Sequence, residues 1–172
     1  RRFNQRYGET FKVPEGYIPP LGAKIMSLQE PTKKMSKSDT NPNAVILILD
    51  DKDTIIRKCK RAVTDSGSEI VYAEGKDGIN NLLTIYSTVT GKTIEEAARE
   101  FEGQGYGTFK LAVGEAIADH LRPVREEDAR IIADKAYLKD CYTRCGIEAL
   151  RQSARMQSKV CRKVGFVQSE IR

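Results

Sequence analysis

Apolar residues recur at helical spacing from about residue 43 to the C-terminus, and the pattern predicts a succession of helices. The run 44–49 ends at Asp50-Asp51-Lys52-Asp53. There Asp51 or Asp53 can cap a helix that carries Ile55, Ile56, Cys59 and Val63 on one face and Arg57, Lys60 and Arg61 on the other. Ser66-Gly67-Ser68 breaks it, and residues 69–78 read as a loop with one extended turn near 70–72. Ile79, Leu82, Leu83, Tyr86 and Val89 predict a second helix, opened by Asp77-Gly78 and stopped by Gly91. Thr93 and Glu96 have the spacing of a capping box, which predicts a short helix to about Glu102. The glycine-rich run 103–107 joins two helices rather than following a strand, so it reads as an inter-helix turn and not as a phosphate loop. Thr108 is the expected cap of a helix bearing Val113, Ala116, Ile117, Leu121 and Val124, with a break or kink at Arg122-Pro123. After a weak point at Asp134-Lys135, Leu138, Cys141, Tyr142, Cys145, Ala149, Met156, Val160 and Val164 form one apolar stripe, and Gly165 ends it.

Ahead of residue 43 the pattern differs. Phe3 to Tyr7 suits the last turns of a helix closed by Gly8, residues 11–18 are extended and punctuated by Pro14, Gly16, Pro19 and Pro20, and residues 22–28 read as a short strand. That strand feeds into Lys33-Lys34-Met35-Ser36-Lys37-Ser38-Asp39, bounded by Pro31 and Pro42. Lysines three apart around a serine concentrate donors and positive charge in little volume, an arrangement suited to phosphate. A solvated basic loop is the competing reading.

Composition changes this picture little. The 172 residues are 40% hydrophobic and 31% charged, enough for a core, and no apolar run approaches the roughly 20 residues a membrane span needs. The opening Arg1-Arg2-Phe3 lacks the form of a secretory signal and suggests a piece of a longer protein. Four cysteines without a C-x-x-C pair and a single histidine, His120, support no metal site, and reduced, cytosolic thiols are expected. The net charge of +5 is uneven: residues 51–120 carry 9 basic and 12 acidic groups, whereas 121–172 carry 12 and 7. On the last helix Arg144, Arg151, Arg155, Lys159 and Arg162 share one face, with Glu148 the sole acid between Cys141 and Gly165. Contact with nucleic acid and a solvated outer face are both open readings of that stripe.

Taken in order, the motifs carry a resemblance. K-M-S-K-S at 34–38 is the signature of class I aminoacyl-tRNA synthetases. With R-F-N-Q-R-Y-G-E at 2–9, G-A-K-I-M-S-L at 22–28, A-V-T-D-S at 62–66, N-L-L-T-I-Y at 81–86 and E-G-Q-G-Y-G-T-F-K at 102–110, the chain resembles the C-terminal half of the bacterial-type tryptophanyl-tRNA synthetase family over residues 2–167. The resemblance implies a mainly α chain, with a helical anticodon-binding domain preceded by a remnant edge of a class I Rossmann-type catalytic domain. Residues 1–42 would be that edge with the K-M-S-K-S loop, residues 43–134 the anticodon-binding domain, and residues 135–172 a long C-terminal helix and tail.

The resemblance further implies a cytoplasmic, homodimeric parent that activates tryptophan with ATP and Mg²⁺ and charges tRNA. Lys34 and Lys37 would act in catalysis, and Ile25, Lys34, Met35, Ser36, Lys37 and Ser38 would bind ATP. Arg151, Arg155, Lys159 and Arg162 are the candidate tRNA contacts. Tryptophan would be held by an N-terminal half outside residues 1–172, so these residues alone are expected to be inactive and the loop open without ligand. A non-catalytic RNA-binding or scaffolding module and the tyrosine-specific relative are the alternatives.

Overall fold

The computed structural model describes residues 1–166 and contains six helices among them: α1 (Arg2–Tyr7), α2 (Lys52–Lys60), α3 (Asp77–Thr90), α4 (Ile94–Glu100), α5 (Tyr106–Ala133) and α6 (Lys135–Val164). The tail 168–172, to which the sequence gives no role, lies outside the described residues. No helix among those described is long and apolar enough to cross a membrane. The chain divides into two units, one of residues 18–128 and one that joins residues 1–17 to 129–172.

In the 18–128 unit, α2, α3, α4 and the first part of α5 enclose the core. Ile55, Cys59, Ile79, Leu82, Leu83, Phe109 and Val113 are fully buried there. Phe101 packs against Tyr86 and Phe109 with ring centroids 5.3 and 5.0 Å away, edge-on or tilted, as aromatic quadrupoles favour. The helix ends follow local chemistry. The Asp51 carboxylate accepts from the Thr54 amide at 2.7 Å, Thr93 and Glu96 close a capping box, and Gly91 ends α3 in the left-handed region at φ 75°.

Four expectations need correction. Residues 22–28 form no strand; there is one isolated antiparallel bridge, Met26 to Lys34, while the backbone of Met26 pairs with the Asn81 side chain and that of Leu28 with Ala44 and Val63. Helix α2 stops at Lys60 and leaves Val63 outside it, half-exposed, because the Val63 amide turns to donate to the Leu28 carbonyl at 2.8 Å. Helix α5 starts at Tyr106, so Thr108 lies within its first turn and not at its cap. The Tyr106 hydroxyl is fastened to the Asp65 carboxylate at 2.8 Å, which draws the start of the helix toward it. Finally, of the break or kink expected at Pro123, there is no break, because α5 continues through it to Ala133. Proline leaves the Asp119 carbonyl without its helical donor, and one residue earlier the Arg125 guanidinium donates to the Ala118 carbonyl at 2.9 Å, supplying side-chain hydrogen bonding where the backbone ladder is interrupted.

In the other unit, the Asn4 side chain organises the first residues. Its Nδ2 donates to the Phe11 carbonyl at 2.7 Å, while its Oδ1 accepts from the Phe11 and Thr10 amides at 3.0 and 3.3 Å. Phe3 stacks near Tyr7 and Phe11. Asp134 caps α6 by accepting from the Tyr137 amide at 2.9 Å, and Gly165 ends it at φ 87°. The C-terminal turns of α6 hold the N-terminal residues: Lys159 Nζ donates to the Thr10 carbonyl at 3.3 Å and Lys163 Nζ to that of Glu9 at 2.9 Å. None of the residues of α6 is buried, and Tyr142, Cys145 and Ala149 of its apolar stripe are exposed while Leu138, Cys141, Val160 and Val164 are half-buried, so the stripe is only partly covered.

Candidate functional site

Residues 25–39 form a hairpin-like loop, paired through Met26 and Lys34 and continuing into the exposed residues 36–39. The Ser27 amide donates to the Lys33 carbonyl at 2.8 Å and the Met35 amide to the Ile25 carbonyl at 3.0 Å, which brackets the Met26–Lys34 bridge. Alternation along this extended stretch sends neighbouring side chains to opposite sides. Met35 and Ile25 pack against the core, where they line an apolar depression of about 250 Å³ together with Ile46, Ile85, Val89 and Leu121. Lys34 and Lys37 stand in solvent, and neither makes an ion pair among the described residues. Lys33 differs: it pairs with Glu30 at 2.7 Å, and the hydrogen bond it donates to this carboxylate, then the carboxylate's charge, raises the lysine above its ordinary pKa.

Beyond Met35 the turn closes on itself. The hydroxyls of Ser36 and Ser38 lie 3.0 Å apart, the Asp39 amide donates to the Ser36 carbonyl at 3.2 Å, and the Asp39 carboxylate accepts from the Asn41 amide at 2.8 Å. The structure thus brings Ile25, Lys34, Met35, Ser36, Lys37 and Ser38 into one loop. Two free ammonium groups and two hydroxyls thus share one loop with Ile25 and Met35, which line an apolar depression, and these are the groups that an apolar ring bearing phosphates would call on.

The candidate nucleic-acid residues on α6 are not equivalent. Arg151 is committed to Glu148 through two hydrogen bonds, 2.9 and 2.7 Å, which raise the guanidinium pKa and lower that of the carboxyl. Lys159 is held by the Thr10 carbonyl. Arg155 and Arg162 are exposed without an ion pair among the described residues, so they are the members of the set with charge free to offer.

Two constellations escape a reading by periodicity. The first is Asn81 on α3, nearly buried, whose side-chain amide accepts from the Met26 amide and donates to the Met26 carbonyl, both at 2.9 Å. Its signal in the sequence was a polar residue set among Ile79, Leu82, Leu83 and Tyr86. The second joins Asp65, Lys76 and Tyr106. Burial opposes charge on Asp65, but hydrogen bonds from Tyr106, the Gly67 amide and Lys76 outweigh it and hold the carboxyl below its usual range. No group of three or more His, Cys, Asp or Glu side chains able to hold a metal ion occurs among the described residues.

A family model described as tRNA synthetases class I (W and Y) matches residues 1–122. The tryptophan–tRNA ligase of Clostridium acetobutylicum is 46% identical over 170 residues, 99% of this chain and 51% of that protein. The ligase of the same name from Wolinella succinogenes is 44% identical over 166 residues, 96% of this chain and 51% of that protein. The chain therefore spans about half the length of the curated relatives it matches. Among solved structures, tryptophanyl-tRNA synthetase from Mycoplasma pneumoniae aligns with a TM-score of 0.79 at 23% identity, covering 99% of this chain and 52% of that one. The Campylobacter jejuni synthetase complexed with ADP and tryptophan aligns with a TM-score of 0.65 at 23% identity, covering 96% and 50%. At these identities the structural likeness speaks for the fold.

Proposed function

Because this chain belongs to the class I tRNA synthetase family (W and Y), we propose that it is the C-terminal half of a tryptophan–tRNA ligase, carrying the loop that handles the phosphates of ATP and a surface that meets tRNA. The observation that carries the reading is the split character of residues 34–37: Met35 is anchored on the core while Lys34 and Lys37 project unpaired into solvent. A structural basic loop would pair its lysines, as Lys33 does with Glu30.

In the proposed reaction the tryptophan carboxylate attacks the α-phosphorus of ATP. A carboxylate oxygen–phosphorus bond forms, the bond to the bridging oxygen breaks, and pyrophosphate leaves with the electron pair. Negative charge grows on the departing phosphates, so Lys34 and Lys37 lower the barrier by meeting charge that is larger in the transition state than in bound ATP. Ser36 and Ser38 offer hydroxyls to the same oxygens, and Ile25 and Met35 give the adenine an apolar wall. These residues provide cations rather than carboxylates, so Mg²⁺ fits only as the counter-ion that ATP brings with it.

Residues 1–42 are the catalytic edge in this reading, residues 43–134 the anticodon-binding domain, and residues 135–172 the final helix and tail. Arg155 and Arg162 are the freest of the candidate tRNA contacts. Residues 1–172 alone lack the tryptophan-binding wall and are inactive. The reading is tested by amino-acid-dependent exchange of pyrophosphate into ATP by the full-length protein. Exchange that requires tryptophan supports it, whereas exchange that requires tyrosine, or none, overturns it.

A further inference from the structure

We propose that Asn81 is a positioning residue for the Lys34–Lys37 loop, acting as a surrogate strand that ties the loop's base to helix α3. In an antiparallel bridge between Met26 and Lys34, the backbone groups of Ser27 and Ile25 point toward the partner segment, as the 2.8 and 3.0 Å bonds to Lys33 and from Met35 require. The N–H and C=O of Met26 point the other way. A further strand would satisfy them in a sheet. Here the Asn81 carboxamide presents an acceptor and a donor side by side and makes both bonds at 2.9 Å.

This pairing is costly to lose. Asn81 is only 5% exposed, so replacing it with an apolar residue leaves an N–H and a C=O of Met26 with little access to water. The segment is also gripped two residues on: the Leu28 amide donates to the Ala44 carbonyl, and the Leu28 carbonyl accepts from Val63. Leu28 is itself fully buried, so the Leu28 end stays fixed without Asn81. The Ile25–Met26 end, which carries Met35 and the lysines, would keep only its pairing with residues 33–35 and the packing of Ile25 and Met35 on the core. Asn81 therefore sets where Lys34 and Lys37 start, without touching ATP. A shift of α3 would move the loop through this amide pair, which gives the helical part of the unit a direct mechanical hold on the phosphate-binding lysines.

The inference rests on the proposed function for its kinetic consequence but not for its structural one. The structural arm is limited trypsin digestion of the full-length protein. Asn81→Leu, close in volume but without polar groups, is expected to speed cleavage after Lys34 and Lys37 about tenfold, the change that a loosened base of order 1.4 kcal/mol would give. Cleavage after Lys12 should stay unchanged. Asn81→Asp, which keeps the acceptor and sets a carboxylate oxygen against the Met26 carbonyl, provides a second variant should the first not fold.

The kinetic arm is pyrophosphate exchange. Both variants should lower kcat about tenfold or more with KM for tryptophan within about twofold, and the effect should shrink when Lys37→Ala is already present, because the two act on one element. Unchanged cleavage after Lys34 and Lys37 in the folded variants overturns the inference. So does an undiminished effect on top of Lys37→Ala. Wild-type protein without exchange overturns the proposed function and leaves the cleavage arm to decide the structural claim.

Discussion

Lys58 of α2 places its ammonium 2.5 Å from the Asp50 carboxylate and 2.9 Å from the Val45 carbonyl, with both charged side chains largely withdrawn from water. The pair fastens residues 45–50, which lead into α2, to the flank of that helix. The Asp50 carboxylate also accepts from the Leu47 amide at 2.9 Å. Breaking a buried pair strands the remaining charge. Lys58→Met is therefore expected to cost about 3–5 kcal/mol, read as a lowered denaturation midpoint in urea. A loss below about 1 kcal/mol would mean that the pair behaves like one at the surface.

Cys59, one residue on, gives a pH dependence. Burial pushes its thiol from 9.0 up to about 12. Above pH 9 the unfolded chain loses this proton while the native one keeps it. The stabilisation is thus complete below the unfolded pKa and falls as pH rises from about 9 to about 12, with a slope near 1.4 kcal/mol per unit. Urea titrations at several alkaline pH values should show this slope in the wild type and a shallower one in Cys59→Ala. Equal slopes would assign alkaline loss to other groups.

Ser87 lies on α3 fully buried, and its Oγ has no hydrogen-bond partner among the described residues. An unpaired hydroxyl in such a place costs stability, and alanine is the better helix former. Ser87→Ala is expected to raise stability by about 1 kcal/mol in the same titration. A decrease would mean that the hydroxyl stabilises the folded chain after all.

Much of the helical layout was legible because local chemistry decided it. Asp51, Thr93 with Glu96, Gly91 and Gly165 mark helix ends through side-chain caps or left-handed glycine, and such signals need no tertiary context. The misjudged points were those where a distant group intervenes. Asp65 draws the start of α5 forward to Tyr106, and the pull of Leu28 ends α2 before Val63. At the candidate site the lysine-serine motif stood out from its order alone. Its attachment did not, since the partner of Met26 is a side chain 55 positions away that hydrophobic periodicity counts merely as polar.

The basic face of α6 divides into bound and free charge, and that division predicts salt dependence. Replacing Arg155 and Arg162 with Gln in the full-length protein should lower the slope of log affinity for tRNA against log salt by about two, one for each phosphate no longer neutralised. Arg151→Gln, whose charge is already met by Glu148, should change it by much less. Equal effects from all three would show that the Arg151–Glu148 pair opens on binding. An unchanged slope would leave the stripe as ordinary surface.

Whether the free lysines of the loop act on the departing phosphates is read from Lys37→Ala in the full-length protein. Pre-steady-state measurement of tryptophanyl-adenylate formation, set beside equilibrium binding of tryptophan, is the decisive comparison. The adenylation rate is expected to fall about a hundredfold or more, with tryptophan affinity changed by less than about threefold, if the lysine meets charge that grows as pyrophosphate departs. A loss of equal size in both quantities, or none in the rate, would contradict it.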